Sequence, residues 1–418
     1  MKILYIATDN PAVDTILEGM KRDTLSGLPA FFFPFEMLLG RGHTVDILLY
    51  TPNEKTVVES EHFKAENLIQ VHPKTRGLAG FLEFPLKLAK ASKVLMRSRK
   101  YDFVYGMTEG AYPALKEAVK MGIPCGQRIF GTRLMTPNLE KHRTLFARWV
   151  TGFKNHTYVA FSLLSRKAFL LITNDGCRAD ELYSLLKMKK LKYAFFFWKS
   201  GVDIPKQRSA LITGDETQYP SVFSQLTLSH IGRIDDMKGQ DRSVSILGEL
   251  HKRGYPFHLY FVGSNDNPVM YERIMKAAEH YQIVDYIHFM GGQNQQTCRL
   301  FARNSFATLL PGDWNRVNVF YEAMSEGSIL VTNNNHSLDE FLEPGENCIL
   351  FDDGDEVGAA EQIIAMIHEP DKAEHMRNAA YQTAVERFYS LEKRFGMEVQ
   401  LIEDAASGKE LSGYPAII

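Results

Sequence analysis

The feature that most constrains the fold is a repeated alternation of short apolar runs with longer segments of helical period. Thirteen runs rich in β-branched and aromatic side chains predict β-strands. They are Ile3–Ala7, Thr44–Tyr50, Leu68–His72, Phe103–Tyr105, Pro124–Ile129, Phe169–Thr173, Tyr193–Trp198, Leu226–Ile231, His258–Val262, Tyr286–Phe289, Phe306–Leu310, Ile329–Thr332 and Cys348–Phe351. Because helical patterns separate them, the strands should run parallel and be covered on both faces. The prediction is an α/β fold of two Rossmann-like, doubly wound domains, with ligands bound in an interdomain cleft at the carboxyl ends of the strands.

The boundary between the two halves is predicted after Val202. The alternation stops there, and a polar stretch that contains glycine and proline continues to Pro220. A chain of 418 residues also suits two domains of roughly 200 residues better than one.

Composition excludes several classes of function. The net charge is −2, which gives no reason to expect nucleic acid as a partner. The four cysteines, Cys125, Cys177, Cys298 and Cys348, lie far apart, which argues against a zinc site or a disulfide framework and fits a reducing cytoplasm. No secretion leader or membrane-spanning run is recognised, so a cytoplasmic protein is expected.

The segment Ile231–Gly239 is the strongest chemical signal. Gly232 and Arg233 directly follow a predicted strand, and Lys238 precedes a helical pattern. Two cations beside the free N–H groups of a helix N-terminus suit a diphosphate. Alone the signal is weak, because surface turns often carry arginine and lysine.

Four segments in this order resemble the C-terminal half of the retaining glycosyltransferases of family 4, which have the GT-B fold. They are IGRIDDMKG, FHLYFVGSN, IHFMGG and NVFYEAMSEGSILVTNN, and the N-terminal MKILYIATDN and LLGRGHTVDILLYT are similar to the first half of that family. The resemblance implies an acceptor-binding domain over residues 1–202 and a nucleotide-sugar-binding domain over residues 203–385. It also implies that a last helix, within about residues 386–418, crosses back onto the first domain.

The resemblance assigns roles to individual residues of the second half. Arg233 and Lys238 would be catalytic, since they stabilise the charge that grows on the leaving diphosphate. Glu322 would accept hydrogen bonds from the ribose hydroxyls, which suits a group with acceptors only. The donor is also expected to contact main-chain groups of Gly232, Gly263, Met290 and Gly291.

One position departs from the family pattern. The first glutamate of its Glu-x7-Glu motif should stand at position 314, where this chain has Trp314. Asp313 would then supply a carboxylate, the amides of Asn315, Arg316, Val317 and Asn318 would hold the sugar, or the sugar would stack on the Trp314 indole. Either the donor is held in a variant way, or transfer activity is lost.

Candidates for the acceptor side lie in the first half. The resemblance places a glycine-containing loop after the first strand, with Asp9 and Gly27 as the nearest residues, and Arg128 joins them as a candidate for an acceptor or phosphate loop. Many family members carry a histidine after the strand 124–129, where this chain has Phe130, so no catalytic histidine is expected. Glu109 either orients or deprotonates the acceptor hydroxyl, or is a plain helix cap.

No metal ion or other cofactor is expected. The acidic segments Asp235–Asp236 and Asp352–Asp355 lie in a cationic turn and at a predicted helix start, which favours solvated loops over a metal site.

The basic amphipathic stretch Leu82–Lys100 either contacts the inner membrane face or is an ordinary surface helix.

The function expected from these features is transfer of a sugar from a UDP- or GDP-type nucleotide donor to an unknown hydroxyl acceptor, with retention and without a metal. Two alternatives stay open. One is a degenerate GT-B protein that binds nucleotide-sugars without transferring them, and the other is a GT-B sugar-nucleotide epimerase.

Overall fold

The computed structural model describes residues 1–8, 29–51, 63–74, 77–130, 160–174, 193–208, 219–223, 226–312, 317–334 and 340–418. The chain divides into two compact units. Unit 1 comprises Met1–Ser200 and Glu392–Ile418, and unit 2 comprises Gly201–Leu391.

Each unit is built on one all-parallel sheet. In chain order the strands are β1 (Lys2–Ala7), β2 (Thr44–Tyr50), β3 (Leu68–Val71), β4 (Phe103–Met107), β5 (Cys125–Phe130), β6 (Phe169–Asn174), β7 (Ala194–Lys199), β8 (Thr227–Ile231), β9 (His258–Val262), β10 (Ile287–Phe289), β11 (Ala307–Leu309), β12 (Leu330–Asn333) and β13 (Cys348–Phe351). The strand order is β3-β2-β1-β4-β5-β6-β7 in unit 1 and β10-β9-β8-β11-β12-β13 in unit 2. No boundary differs from the predicted one by more than two residues. The α/β class with two doubly wound parallel sheets is therefore confirmed.

Helices of the described residues connect these strands. In chain order they are α1 (Pro29–Gly40), α2 (Gly77–Arg99), α3 (Tyr112–Lys120), α4 (Pro220–Phe223), α5 (Gln240–Lys252), α6 (Pro268–Tyr281), α7 (Gln295–Asn304), α8 (Val317–Ser325), α9 (Glu356–His368), α10 (Pro370–Arg387) and α11 (Leu391–Ala406). None of them is long and apolar enough to cross a membrane.

The strands are buried on both faces, as their near-continuous apolar sequence requires. In β1, Tyr5 belongs to a core shared with α1 and α11, whereas its neighbours Leu4 and Ile6 belong to a second core shared with α2 and α3. Successive side chains of a strand point to opposite faces, so one short run builds two cores.

The last residues of the chain line the free edge of β7. The Phe197 N–H donates to the Ala416 carbonyl at 2.8 Å, and the Lys199 N–H donates to the Ile418 carbonyl at 2.8 Å. The indole N–H of Trp198 donates to the Pro415 carbonyl at 2.7 Å. These bonds satisfy backbone groups that an edge strand otherwise leaves open for pairing with another chain.

Strand order reverses direction once in each sheet. In unit 1 the switch lies between β1 and β4, and in unit 2 it lies between β8 and β11. The carboxyl ends of strands at such a point are the usual ligand sites of doubly wound sheets.

Candidate functional site

The switch point of unit 2 is formed by the chain that leaves β8 and the chain that leaves β11. Gly239 caps the N-terminus of α5 with φ +67° and approaches the end of β11. A Cβ atom at this position would lie 2.1 Å from the Pro311 carbonyl oxygen. Only glycine fits both the backbone conformation and the close contact, so this residue joins the two loops at the sheet edge.

The loop that follows β8 is held by its own side chains. Ile234 is buried in the core of unit 2. The Asp235 carboxylate accepts hydrogen bonds from the Met237 N–H at 3.1 Å and from the Arg233 guanidinium at 3.2 Å. Asp235 thus closes the turn and orients an arginine whose side chain is 69% exposed.

Gly263 stands directly beside this loop. A Cβ atom there would lie 2.2 Å from the Gly232 carbonyl oxygen and 2.9 Å from the Arg233 nitrogen. The glycine is thus required by the packing of the chain against itself.

Gln240, the first residue of α5, was missed by the sequence analysis. It is fully buried, and its side-chain N–H donates to the Arg233 carbonyl at 3.0 Å. Among the described residues, its buried Oε1 atom has no hydrogen-bond partner. The type of residue gives no signal in the sequence, because a glutamine at a helix start is usually exposed.

The half-buried Lys238 precedes this cap, and its charge acts on a buried histidine of β8. Burial first, and the positive charge of Lys238 second, lower the pKa of His230 to about 3. His230 is therefore a neutral, buried residue whose Nδ1 atom lies 2.8 Å from the Ser243 hydroxyl. Arg233 and Lys238 are brought to one edge of the sheet, as the sequence predicts.

Glu322 lies in α8, the helix that follows β11. Its carboxylate accepts a hydrogen bond from Gln295 at 3.4 Å. Burial raises the pKa of Glu322 to about 7, against a lowering by the Gln295 hydrogen bond. A carboxyl group with a pKa near 7 is typical of a binding or catalytic position.

The remaining donor candidates also follow parallel strands. Met290 and Gly291 come after β10, and the Met290 N–H donates to the Phe261 carbonyl of β9 at 2.9 Å. Val317 begins α8, and Asn318 is half-buried in its first turn. Asp313, Trp314, Asn315 and Arg316 lie outside the described residues.

The switch point of unit 1 carries Glu109. This residue is half-buried and opens a short 3-10 turn immediately after β4. The preceding Thr108 has φ +71°, and its hydroxyl lies 2.9 Å from that of Thr8 at the end of β1. Among the described residues, none forms an ion pair or hydrogen bond with the Glu109 carboxylate.

The structure corrects the assignment of Arg128 to an acceptor or phosphate loop. Arg128 lies in β5 with no exposed surface, and its guanidinium is 2.7 Å from the buried Glu398 carboxylate of α11. A group enclosed in this way stabilises the core of unit 1 and does not reach a ligand. Asp9 and Gly27, the other two residues of that assignment, lie outside the described residues.

The acidic segment after β13 has a structural role. Asp355 caps α9 by accepting the Gly358 N–H at 2.9 Å, and the Asp353 carboxylate pairs with Arg242 and accepts from Asn333 at 2.9 Å. Within the described ranges, no group of three or more His, Cys, Asp or Glu side chains has the arrangement of a metal site.

Comparison with known proteins agrees with this geometry. Residues 220–383 match the family described as Glycosyl transferases group 1. No curated protein is similar to the chain in sequence.

Solved structures match over almost the whole chain. Sucrose-phosphate synthase from Thermosynechococcus elongatus has a TM-score of 0.70 at 14% identity, covering 98% of this chain and 100% of that one. The Anabaena protein HepE, in complex with UDP and glucose, has a TM-score of 0.65 at 14% identity, with 98% and 100% covered. Trehalose 6-phosphate synthase from Burkholderia multivorans has a TM-score of 0.64 at 11% identity, with 97% and 99% covered.

At these identities the structures show the fold, which is GT-B. The family match covers residues 220–383, which is most of unit 2.

Proposed function

We propose that the protein is a retaining glycosyltransferase of family 4 that moves a sugar from a UDP- or GDP-sugar to an acceptor hydroxyl without a metal ion. The observation that carries the proposal is the loop between β8 and α5. It brings an exposed Arg233, the half-buried Lys238 and a helix N-terminus to the switch point of unit 2. Helix N-termini and fixed cations are the groups that bind diphosphates in proteins.

The cations act on the bond that breaks. When the anomeric C–O bond to the β-phosphate cleaves, its electron pair stays on the phosphate oxygen and positive charge develops on the sugar ring. Arg233 and Lys238 stabilise the leaving diphosphate, and Asp235 keeps the arginine oriented at 3.2 Å. The acceptor oxygen attacks the same face, and its proton passes to the leaving phosphate. This route gives retention without a nucleophile from the protein.

Glu322 holds the ribose in this proposal. Its carboxylate accepts hydrogen bonds from two ribose hydroxyls, for which the ionised form is required. Support comes from its place on α8 after β11 and from its contact with Gln295 at the start of α7. The HepE structures were solved with UDP and with UDP-glucose, which makes UDP-glucose the first donor to examine.

Glu109 serves the acceptor side of the proposal. The carboxylate follows β4 at the switch point of unit 1, where a ligand hydroxyl would meet an acid with no partner among the described residues. Glu109 orients that hydroxyl, which leaves the diphosphate as the group that takes its proton.

A thermal-shift screen of nucleotide-sugars followed by product analysis tests the function. Transfer of the labelled sugar to an added acceptor supports it. An altered or released sugar without an acceptor would indicate an epimerase, and binding without turnover would indicate a nucleotide-sugar-binding protein.

Metal independence is examined in the same assay. Excess EDTA should leave turnover unchanged, because the two cations supply the charge that a metal would otherwise provide. Loss of turnover that manganese or magnesium restores would overturn this part of the proposal.

Asp313 is proposed to read the donor sugar, although it lies outside the described residues. Asp313→Ala should weaken UDP-glucose binding more than UDP binding, whereas Glu322→Ala should weaken both alike, since ribose is common to the two ligands. Calorimetric titration decides this, and equal losses for Asp313→Ala would show that this carboxylate does not contact the sugar.

We further propose that α2 contacts an anionic membrane from the cytoplasmic side. Leu82, Leu86 and Val94 are 61%, 74% and 60% exposed, and Lys90 and Lys93 accompany them along the helix. Apolar side chains flanked by lysines are typical of helices that lie in the headgroup region.

Vesicle sedimentation tests the membrane contact. The protein should bind vesicles containing phosphatidylserine, and Leu86→Ser with Lys90→Glu should abolish binding. A matched double change on α6, Val269→Ser with Lys276→Glu, should leave it intact. Equal binding to pure phosphatidylcholine would contradict a role for the lysines.

A further inference from the structure

A lysine that has no carboxylate partner among the described residues is buried in unit 1. Lys167 is 6% exposed, and its ammonium donates to the Gln127 Oε1 atom at 2.7 Å and to the Ser162 carbonyl. Its other close neighbours are the Tyr193 ring, 5.3 Å away, and the Cys125 thiol. No described carboxylate pairs with it. Burying an amine in this way is unfavourable, and burial lowers the pKa of Lys167 to about 7.

The two acceptors of Lys167 continue into a directed chain of hydrogen bonds. The Gln127 amide N–H₂ donates to the Thr108 carbonyl and to the Ser162 hydroxyl, both at 3.0 Å. The Ser162 hydroxyl donates in turn to the Glu109 carbonyl at 2.8 Å. Every donor in this chain points away from Lys167, so the protonated form of this lysine polarises and strengthens each successive bond.

The chain ends on a turn that is strained. Thr108 has φ +71° and ψ 168°, which is unfavourable for a β-branched residue. The turn is also tightly packed against β1, because a Cβ atom at Gly110 would lie 2.2 Å from the Thr8 hydroxyl. Both carbonyl groups that flank the backbone of Glu109 are therefore fixed by the Lys167 chain, while the Glu109 carboxylate has no described partner.

We propose that Lys167 is a positioning residue that acts through Gln127 and Ser162 to hold the Thr108–Gly110 turn, and thereby sets the place of the Glu109 carboxylate that receives the acceptor hydroxyl. The acceptor part rests on the proposed function, whereas the holding of the turn does not. The cost of a buried amine and of a strained threonine is then explained by one requirement, a fixed carboxylate at the switch point of unit 1.

Hydrogen exchange of the free protein tests the holding of the turn. In Lys167→Met, the amides of residues 108–111 should exchange at least about tenfold faster, since bonds from a charged donor are lost. Ser162→Ala, a small change that keeps the core, should accelerate the same amides about two- to tenfold, because it removes one neutral hydrogen bond. Ser165→Ala is the matched control. Its hydroxyl donates to the Ser162 carbonyl at 2.9 Å and does not contact the turn, so exchange there should not change.

Kinetics test the consequence for the acceptor. With UDP-glucose and the acceptor found by product analysis, Ser162→Ala should lower kcat/KM for the acceptor and leave the KM for the donor unchanged. In a Glu109→Gln background Ser162→Ala should have no further effect, because the two changes act on one group.

The outcomes separate the two claims. Unchanged exchange in both Lys167→Met and Ser162→Ala would overturn the holding of the turn. Faster exchange with unaltered acceptor kinetics would overturn the role of the turn in placing Glu109 for the acceptor. A wild-type protein that transfers no sugar from any donor would overturn the proposed function, while the exchange measurement still decides whether Lys167 holds the turn.

Discussion

At the switch point of unit 2 the chain leaves its first strand through Gly232 and Arg233 and enters a helix behind Lys238, whereas in unit 1 the chain leaves β4 through Thr108 and Glu109. The two sheets have the same topology, because the strand order reverses once in each, beside the first strand of the sheet. In unit 2 the edge offers two cations and the N-terminus of α5. In unit 1 it offers a carboxylate on a turn held by a buried amine.

The difference shows that one topology supplies two kinds of binding edge, and that the loop residues decide which kind. A cationic, glycine-containing loop suits the anionic half of a sugar nucleotide. A hydrogen-bond acceptor on a rigid turn suits a neutral hydroxyl. The division of labour in the proposed reaction follows from these two edges.

The two units also differ in how they bury charge. In unit 1 Glu398 and both of its arginines, Arg128 and Arg394, have no exposed surface. In unit 2 Glu326 is equally buried, but Arg299 and Arg303 keep 15% and 19% of their side chains exposed. Removal of the carboxylate should therefore cost more in unit 1, where the stranded guanidiniums cannot reach water.

The largest effect is expected for Glu398→Gln. Two fully buried guanidiniums lose this carboxylate, which should lower the free energy of unfolding by about 3–5 kcal/mol. Glu326→Gln should cost less, because Arg299 and Arg303 reach solvent and Arg299 keeps Asp203. Urea unfolding measures the loss of free energy in each variant. Hydrogen exchange in β5 and in β8 then measures that loss in unit 1 and in unit 2 separately.

The control for this comparison is Glu403→Gln, which removes a carboxylate that pairs with His43 and with Arg41, an arginine whose side chain is 39% exposed and which keeps Gln400 as an acceptor. Exposed pairs contribute less than about 1 kcal/mol. If Glu398→Gln and Glu403→Gln cost the same, the buried network does not stabilise unit 1 as argued.

The second-largest effect is expected on turnover. Arg233→Ala or Lys238→Ala should lower turnover by about 10²-fold or more, the usual effect of a lost donor to developing charge. Melting temperature should hold, since Arg233 is largely exposed. Lys276→Ala, a solvent-exposed cation of α6, is the matched control. Wild-type turnover in either variant would show that this loop does not bind the diphosphate.

The strands were predictable because a doubly wound parallel sheet needs apolar residues on both faces of every strand. Runs such as Phe169–Asn174 therefore stand out from the helices around them. The cations of the loop after β8 could also be placed, since a strand end and a helix start fix the edge to which they belong.

Residues that act through the interior could not be predicted. Gln127, Ser162 and Lys167 are common types of residue. Ser162 and Lys167 lie 35 and 40 residues after Gln127, and these spacings match no helix or strand period. Arg128 was placed wrongly for the same reason. An arginine in a strand is read as a surface cation unless its buried partner, here Glu398 some 270 positions later, is known.

Glu322 should make nucleotide binding depend on pH. Burial raises the pKa of this carboxyl to about 7 in the free protein. Since ribose hydroxyls need the ionised form, UDP affinity should rise about tenfold between pH 6 and pH 8 and then level off.

The same carboxyl affects stability with the opposite sign. The fold favours its protonated form, so its stabilising contribution is present below its ordinary pKa and is lost as the pH rises through about 7. Glu322→Gln should therefore remove the pH dependence of UDP binding and raise the melting temperature more at pH 8 than at pH 5. Glu361→Gln, an exposed glutamate of α9, is the control. Calorimetry that finds the same pH dependence in Glu322→Gln would assign it to another group.

The smallest effect concerns a histidine pair at the amino end of the unit 2 sheet. His258 and His288 lie 2.9 Å apart, beside His251 and the ring of Tyr286. Burial lowers the pKa of both, and for His258 the neighbouring histidines lower it further.

Both rings are thus kept neutral by the fold, so their contribution to stability is complete above the ordinary histidine pKa and is lost as the pH falls. Unit 2 should therefore lose stability between pH 7 and pH 5. His288→Gln should flatten this dependence, as measured by hydrogen exchange in β9 and β10, whereas His280→Gln on the exposed face of α6 should leave it unchanged. Equal slopes in the wild type and in His288→Gln would show that acid acts on unit 2 through other groups, of which the buried His230 is the first to replace.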